Sequence, residues 1–229
     1  MRRVFLAALA AALAPTVGSA AITIDDFNDV TAPVFVTADT SYSVALTGPP
    51  PPPAPSRDVV IDVTPDTGGA TLAINRAMDQ NGYTLLAGTS ADISFDYDFT
   101  GNLGGFIDLT QMGANASLIL DLVQAGSARS VVLTLSDLLG NSGMVSIPLP
   151  TAVSMPLTRT TNFSEFTGVD ATQATGLTIS TTLAGFSDSI TFGSVSAATV
   201  PEPMSLTLAG LLGVGLCGGA VRRRKRAAA

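Results

Sequence analysis

Histidine and tryptophan are absent from this 229-residue chain, lysine occurs once at Lys225, and Cys217 is the single cysteine. Imidazole-dependent triads, Cys/His hydrolysis, most zinc sites and intrachain disulfides therefore have no residues to use. Charged residues make up 13% of the chain and aromatic ones 6%, against 46% hydrophobic, a composition too apolar for a disordered tail. What charge there is falls unevenly. Arg2 and Arg3 open the chain and Arg222 to Arg226 close it, so residues 21–200 hold Arg57, Arg76, Arg129 and Arg159 against seventeen acids, a balance of −13. Such a body repels nucleic acid and anionic lipid, and without a lysine it has neither a Schiff-base amine nor a P-loop cation.

The basic ends flank apolar runs. Residues 1–21 carry two arginines, an uncharged run from Val4 to Ala14, Pro15, and then Gly18, Ser19, Ala20 and Ala21. That order is expected of a secretory signal peptide cut after Ala20 or Ala21. At the other end Met204 to Val221 is uncharged over 18 residues, which as a helix would span about 27 Å. The basic block 222–226 behind it is expected on the cytoplasmic side, leaving residues 22–198 outside that membrane. Cys217, inside the span, reads as a small apolar residue.

Residues 22–198 lack helical periodicity and show alternation instead. Asp92, Ser94, Asp96 and Asp98 interleave with Ile93, Phe95, Tyr97 and Phe99, the pattern of a half-buried strand with one acidic face. Further strands are predicted over 57–63, 70–75, 117–122, 131–136, 143–147, 176–183 and 189–195. The separators 64–69, 100–105, 124–127 and 139–143 are rich in Gly, Asn, Asp and Ser. Short strands at this spacing predict an all-β fold, a single sandwich. The Pro-rich segment 48–56 is predicted to be an extended loop within it.

Candidate chemistry is sparse. Asp92, Asp96 and Asp98 are weak calcium candidates, because carboxylates two residues apart share a strand face; at nearly 7 Å between alternate residues they need further ligands to clamp one ion. Asp137 with Asn141, and Asp66, read as turn builders. Glycoside hydrolysis needs only two carboxylates, yet Glu165 is the one glutamate of the body and the aspartates have structural explanations, so an enzyme is not expected. No catalytic residue, cofactor or assigned metal is expected. Carbohydrate binding would draw on an aromatic platform, and the tyrosines are Tyr42, Tyr83 and Tyr97, the last on the apolar face.

The tetrad Val200, Pro201, Glu202 and Pro203, followed by the span and the basic tail, closely resembles the PEP-CTERM sorting signal of Gram-negative bacteria over residues 200–226. This tail is also catalogued as an ice-binding protein C-terminal domain. Thr178, Ser180 and Thr182 form one short row, not the repeated rows an ice-binding face needs. The resemblance implies a precursor exported across the inner membrane, anchored there transiently, recognised at Pro201 to Pro203 by an exosortase, and released to the cell surface or medium. It further implies a non-catalytic surface or matrix role linked to exopolysaccharide or biofilm, with extracellular polysaccharide as a candidate partner. A carbohydrate- or calcium-binding module is the alternative, and a secreted carboxylate-dependent glycoside hydrolase a third reading. The body itself resembles the galactose-binding-like jelly roll of such proteins at Asp25-Asp26-Phe27, Arg57-Asp58-Val59-Val60, Phe106 to Thr110, Asp137 to Asn141 and Asn162 to Phe166.

These addresses make one prediction about covalent structure. The intact mass of the protein recovered from the surface or medium of its native cells is expected to fit a chain starting near Ala21 and ending near Pro201 to Pro203. A recovered chain that keeps Arg222 to Arg226 would overturn the processing expectation.

Overall fold

The computed structural model describes residues 21–28, 34–46, 54, 56–65, 68–77, 80–125, 129–150 and 156–198. The signal-peptide segment up to Ala20, the sorting tetrad, the span and the basic tail lie outside the described residues, as does most of the Pro-rich segment. Among the described residues thirteen strands follow in order: β1 Ile22–Asp25, β2 Val34–Val36, β3 Thr40–Ala45, β4 Ser56–Thr64, β5 Thr71–Ala77, β6 Gln80–Ala87, β7 Ser90–Asp98, β8 Ser117–Ala125, β9 Arg129–Asp137, β10 Ser142–Leu149, β11 Leu157–Asn162, β12 Ala174–Ala184 and β13 Ser189–Ala198. Two short 3-10 helices, Phe163–Glu165 and Ala171–Gln173, link β11 to β12, and no α-helix occurs among the described residues.

The strands form two antiparallel sheets, as the alternation predicts. Sheet A runs β11-β8-β13-β6-β5-β2, with β1 added to β13; sheet B runs β10-β9-β12-β7-β4-β3. Their inner faces bury one core, with Ile61, Ile93, Phe95, Leu133 and Ile179 from sheet B against Leu72, Tyr83, Leu120, Leu122 and Phe192 from sheet A. Period-2 alternation is what allows this, since each strand gives every second side chain to the core. The burial pattern of β4 and β7 follows it residue by residue. Gly143 in β10 is required by packing: a Cβ there would lie 2.9 Å from the backbone carbon of Phe166, so only glycine admits the chain after the first 3-10 helix.

An ion pair joins the two sheets through this core. Arg57 of β4 is fully buried and donates from Nη1 to Asp25 Oδ2 of β1. Tyr97 of β7 donates its hydroxyl to the same oxygen at 2.7 Å, and the Phe27 amide donates to Asp25 Oδ1 at 2.7 Å. The register shift between Thr23 and Asp25, a β-bulge, lets neighbouring Ile24 and Asp25 both enter the interior. The Arg57 guanidinium lies over the Phe27 ring, 4.8 Å from its centroid, and Phe27 stacks on Phe192 at 5.1 Å. Phe27 takes a left-handed φ of +50°, a strained backbone that its ring packing and the Asp25 bond hold in place. Burial pushes the Asp25 carboxyl above its usual range, opposed by Arg57 and by the amide and hydroxyl bonds. Burial and the neighbouring carboxylate also raise the Tyr97 hydroxyl well above its ordinary value, so it remains a donor.

Removing one partner of a buried pair strands the other charge. Arg57→Met is therefore expected to cost about 3–5 kcal/mol in urea unfolding, by analogy with other broken buried pairs. Asp25→Asn combined with Arg57→Met, which leaves no charge and retains an acceptor for Phe27, is expected to recover most of that loss. A double variant as unstable as the single one would show that packing, not the stranded carboxylate, sets the cost.

Candidate functional site

The outer face of sheet B carries the acids. In β4 and β7 the same four-residue spacing repeats, Asp58 with Asp62 and Asp92 with Asp96, so all four carboxylates share one face. The register sets them directly opposite in pairs, Asp58 with Asp96 and Asp62 with Asp92. Like charges at opposed positions repel. On the other flank of β7 the hydroxyls of β12 offset this: Thr178 Oγ1 donates to Asp96 Oδ1 at 2.7 Å, and Thr182 Oγ1 donates to Asp92 Oδ1. The Thr178, Ser180 and Thr182 row thus serves as a donor rail for the neighbouring acids, with Ser180 opposite Ser94.

Small side chains form the row between the two acid pairs. Reading across the strands from β10 to β3 it runs Ser146, Val132, Ser180, Ser94, Val60 and Ser41. Six strands at about 4.8 Å spacing make this row about 24 Å long. A shallow depression of about 310 Å³ lies over it, with Val60, Val132, Ser94 and Ser180 on its floor and Asp62, Asp92, Ser130 and Thr182 along one side. It offers hydroxyl and carboxylate hydrogen-bonding groups beside two patches of aliphatic surface. Such a surface suits a polyhydroxylated ligand.

A second cleft opens where the sandwich rim separates β2 from β3. It measures about 510 Å³ and is lined by Phe35, Val36, Tyr42, Ile74 and the 37–40 turn. Phe35 is 63% exposed, Tyr42 is half-buried, and Asp39 in the turn accepts from the Val63 amide at 3.0 Å. Thr40 and Tyr42 of this cleft are the chain neighbours of Ser41, the last member of the small-residue row, but strand alternation turns them to the inner face of β3, where Tyr42 packs against the core.

The remaining sequence candidates separate. Asp92 and Asp96 join the paired acids, Asp98 stands exposed at the end of β7, and the described residues contain no cluster of three ligands able to hold a metal ion. Tyr83 and Tyr97 are core residues. Asp137 ties its own turn, accepting from the Leu139 and Asn141 amides and from Asn141 Nδ2, and the Asn141 bond leads in holding its carboxyl below the usual range. Glu165 accepts from the Asn162 amide at 2.9 Å and caps the first 3-10 helix. Ala21 is exposed immediately before β1; Ala20, Val200, Pro201, Glu202, Pro203 and Cys217 lie outside the described residues. Asp58 and Asp62 were not among the expected site residues. Their signal was the spacing they share with Asp92 and Asp96, but which strands lie side by side is a tertiary fact.

No family model and no curated protein matches this chain. Among solved structures it is similar to the family 11 carbohydrate-binding module of a cellulosomal cellulase of Clostridium thermocellum, at 12% identity and a TM-score of 0.40, covering 80% of this chain and 96% of that one. It is also similar to an exo-beta-agarase, at 11% identity and a TM-score of 0.44, covering 80% of this chain and 26% of that one. A third is a carbohydrate-binding module specific for non-crystalline cellulose, at 11% identity and a TM-score of 0.36, covering 61% of this chain and 88% of that one.

The opposed acids make a stability prediction. Asp58→Asn, which relieves the repulsion with Asp96 and leaves the Thr178 bond in place, is expected to stabilise the fold by about 0.2–1 kcal/mol at low ionic strength. The gain should shrink as salt is added, because exposed charges are screened. Unchanged or lowered stability in low-salt urea titrations would mean that the pair does not repel as its register implies.

Proposed function

We propose that this chain is an exported, non-catalytic β-sandwich of galactose-binding-like jelly-roll type that holds neutral polysaccharide on the outer face of sheet B. The observation that carries the reading is the continuous row of small residues flanked by paired carboxylates and threonines. Sugar hydroxyls both donate and accept, so they can give hydrogen bonds to the Asp62 and Asp92 carboxylates and exchange them with the Ser94 and Ser180 hydroxyls. The aliphatic floor at Val60 and Val132 meets the apolar faces of the rings. The rim cleft with Phe35 and Tyr42 lies beyond the edge of this face and is not part of the row. The carboxylate pairs disfavour an acidic polymer through repulsion, which selects uncharged chains.

Export and surface release rest on the signal-peptide pattern and on the likeness of residues 200–226 to a PEP-CTERM tail, with an exosortase as the processing partner. A polysaccharide-binding body released at the cell surface would serve an exopolysaccharide layer or biofilm. Calcium and catalysis are not needed for this role.

Electrophoresis through gels containing a panel of neutral polysaccharides tests the binding. At least one neutral polymer is expected to retard the wild-type protein, and Ser180→Trp, which fills the floor from an outward position, is expected to lose that retardation. Incubation should release no new reducing ends. Equal retardation of wild type and Ser180→Trp, or none with any polymer, would overturn the reading.

A further inference from the structure

We infer that the outer face of sheet A carries a separate site for a single neutral sugar unit, held by the Asp121 carboxylate through two neighbouring ring hydroxyls. Asp121 lies in the middle of β8, and the register sets Thr158 of β11 and Ser194 of β13 on either side of it. Thr158 Oγ1 donates to Asp121 Oδ1 at 2.6 Å, and Ser194 Oγ donates to Oδ2 at 2.8 Å. Asp108 and Asp137 tie the turns they stand in. Asp121 instead sits inside a strand, where the backbone ladder already joins the three neighbours and aspartate is otherwise disfavoured.

A break in the β13 pairing makes room beside it. The register with β8 shifts on both sides of Phe192. Phe192 and Val195 are both fully buried, so Gly193 and Ser194 together occupy the interval where strand alternation allows one residue. The extra residue turns the Ser194 hydroxyl outward to Asp121, and Gly193 adds no side chain to fill the space next to it. A depression of about 490 Å³ lies there, lined by Val123, Pro156, Gly193 and the three hydrogen-bonded residues. It crosses three strands at about 4.8 Å spacing and so measures about 10 Å, room for one or two sugar rings, against about 24 Å for the row on sheet B.

The chemistry of the carboxylate names the ligand class. An ionised carboxylate accepts at about four lone-pair positions and donates at none. Thr158 and Ser194 occupy one position on each oxygen, which leaves one on each oxygen for a ligand. Two hydroxyls on adjacent ring carbons match that pair of acceptors, and both bonds are charge-assisted. Val123 and Pro156 offer apolar surface to the C–H face of the ring. The negative charge of Asp121 excludes uronates and phosphates. Because two hydroxyl bonds already fix the carboxylate, little is lost in ordering it when the sugar binds. The site lies on the face opposite the row on sheet B and does not depend on the reading of that row.

The absence of tryptophan makes the test direct. Pro156→Trp gives the full chain a unique fluorophore at the exposed rim of the depression, and Leu139→Trp gives a reference in the exposed turn between β9 and β10. Each full-length protein, in a detergent without sugar headgroups, is titrated with the methyl glycosides of glucose, galactose and mannose. At least one is expected to change the Pro156→Trp emission saturably and to leave Leu139→Trp unaffected. Adding Asp121→Asn to Pro156→Trp is expected to raise the half-saturating concentration about tenfold or more, as for a lost bond to a charged group. Asp98→Asn, which removes the same charge from the other sheet, should leave it unchanged. No saturable response with any glycoside, an equal response to the O-permethylated glycosides, or equal affinity with and without Asp121→Asn overturns the inference. A methyl glucosaminide that binds about tenfold more tightly than every neutral glycoside would assign the depression to cations and overturn it as well. None of these outcomes bears on gel retardation by the sheet B row, whose own variant is Ser180→Trp.

Discussion

Arg57 sits wholly inside the sandwich, and the architecture is arranged around the need to neutralise it. Its guanidinium is charged at every accessible pH, so its burial requires a carboxylate within bonding distance and a surround that does not compete. Asp25 supplies the carboxylate from the other sheet. To bring it there the chain forms a bulge in β1, places Phe27 in a left-handed conformation, and packs Phe27 against Phe95 and Phe192. The first strand is therefore more than an added edge. Without it the core would contain a cation with no counter-ion, and the two sheets would lose the polar link between them.

That arrangement leaves the outer faces free to diverge. Sheet A exposes Asp121, whose two oxygens accept from Thr158 and Ser194. Sheet B exposes Asp58, Asp62, Asp92, Asp96 and Asp98 on neighbouring strands. The acid is concentrated on the face whose middle row is small and hydroxylated, and there it is partly balanced by threonine donors. A face of this kind keeps the sheet soluble, guards against sheet-to-sheet aggregation, and offers the hydrogen-bonding pattern that a neutral sugar chain can meet. Both ends of the sandwich carry carboxylate-tied turns with exposed apolar side chains, Met112 and Leu139 at one and Phe186 at the other.

Much of the fold was legible because strand alternation is local. Each of the predicted strands was found, commonly with one to three further residues at an end: 57–63 became Ser56–Thr64, and 189–195 became Ser189–Ala198. The missed strands were β1, β2, β3, β6 and β11. β2 has three residues, β3 and β11 are edge strands with mixed Thr and Ser content, and β6 contains Gly82, so none has a strong apolar alternation of its own. Their strand character comes from the partner they pair with. Of the candidate site, the acidic face of β7 was visible in the sequence; its opposition to Asp58 and Asp62 was not, nor was the trough between the pairs.

The sequence by itself determined the class of the fold, the polarity of its faces and the exclusion of imidazole and thiol chemistry, because these depend on composition and on side-chain period within one strand. The export and sorting expectation likewise rests on contiguous segments, residues 1–21 and 200–226. Only the tertiary structure decided that Asp25 and Phe27 meet Arg57 across the core, that Asp58 faces Asp96, and that the small residues of six strands align in one row. Those outcomes depend on strand order and register. Register is set by the packing of all the inner faces together, and no single segment contains it.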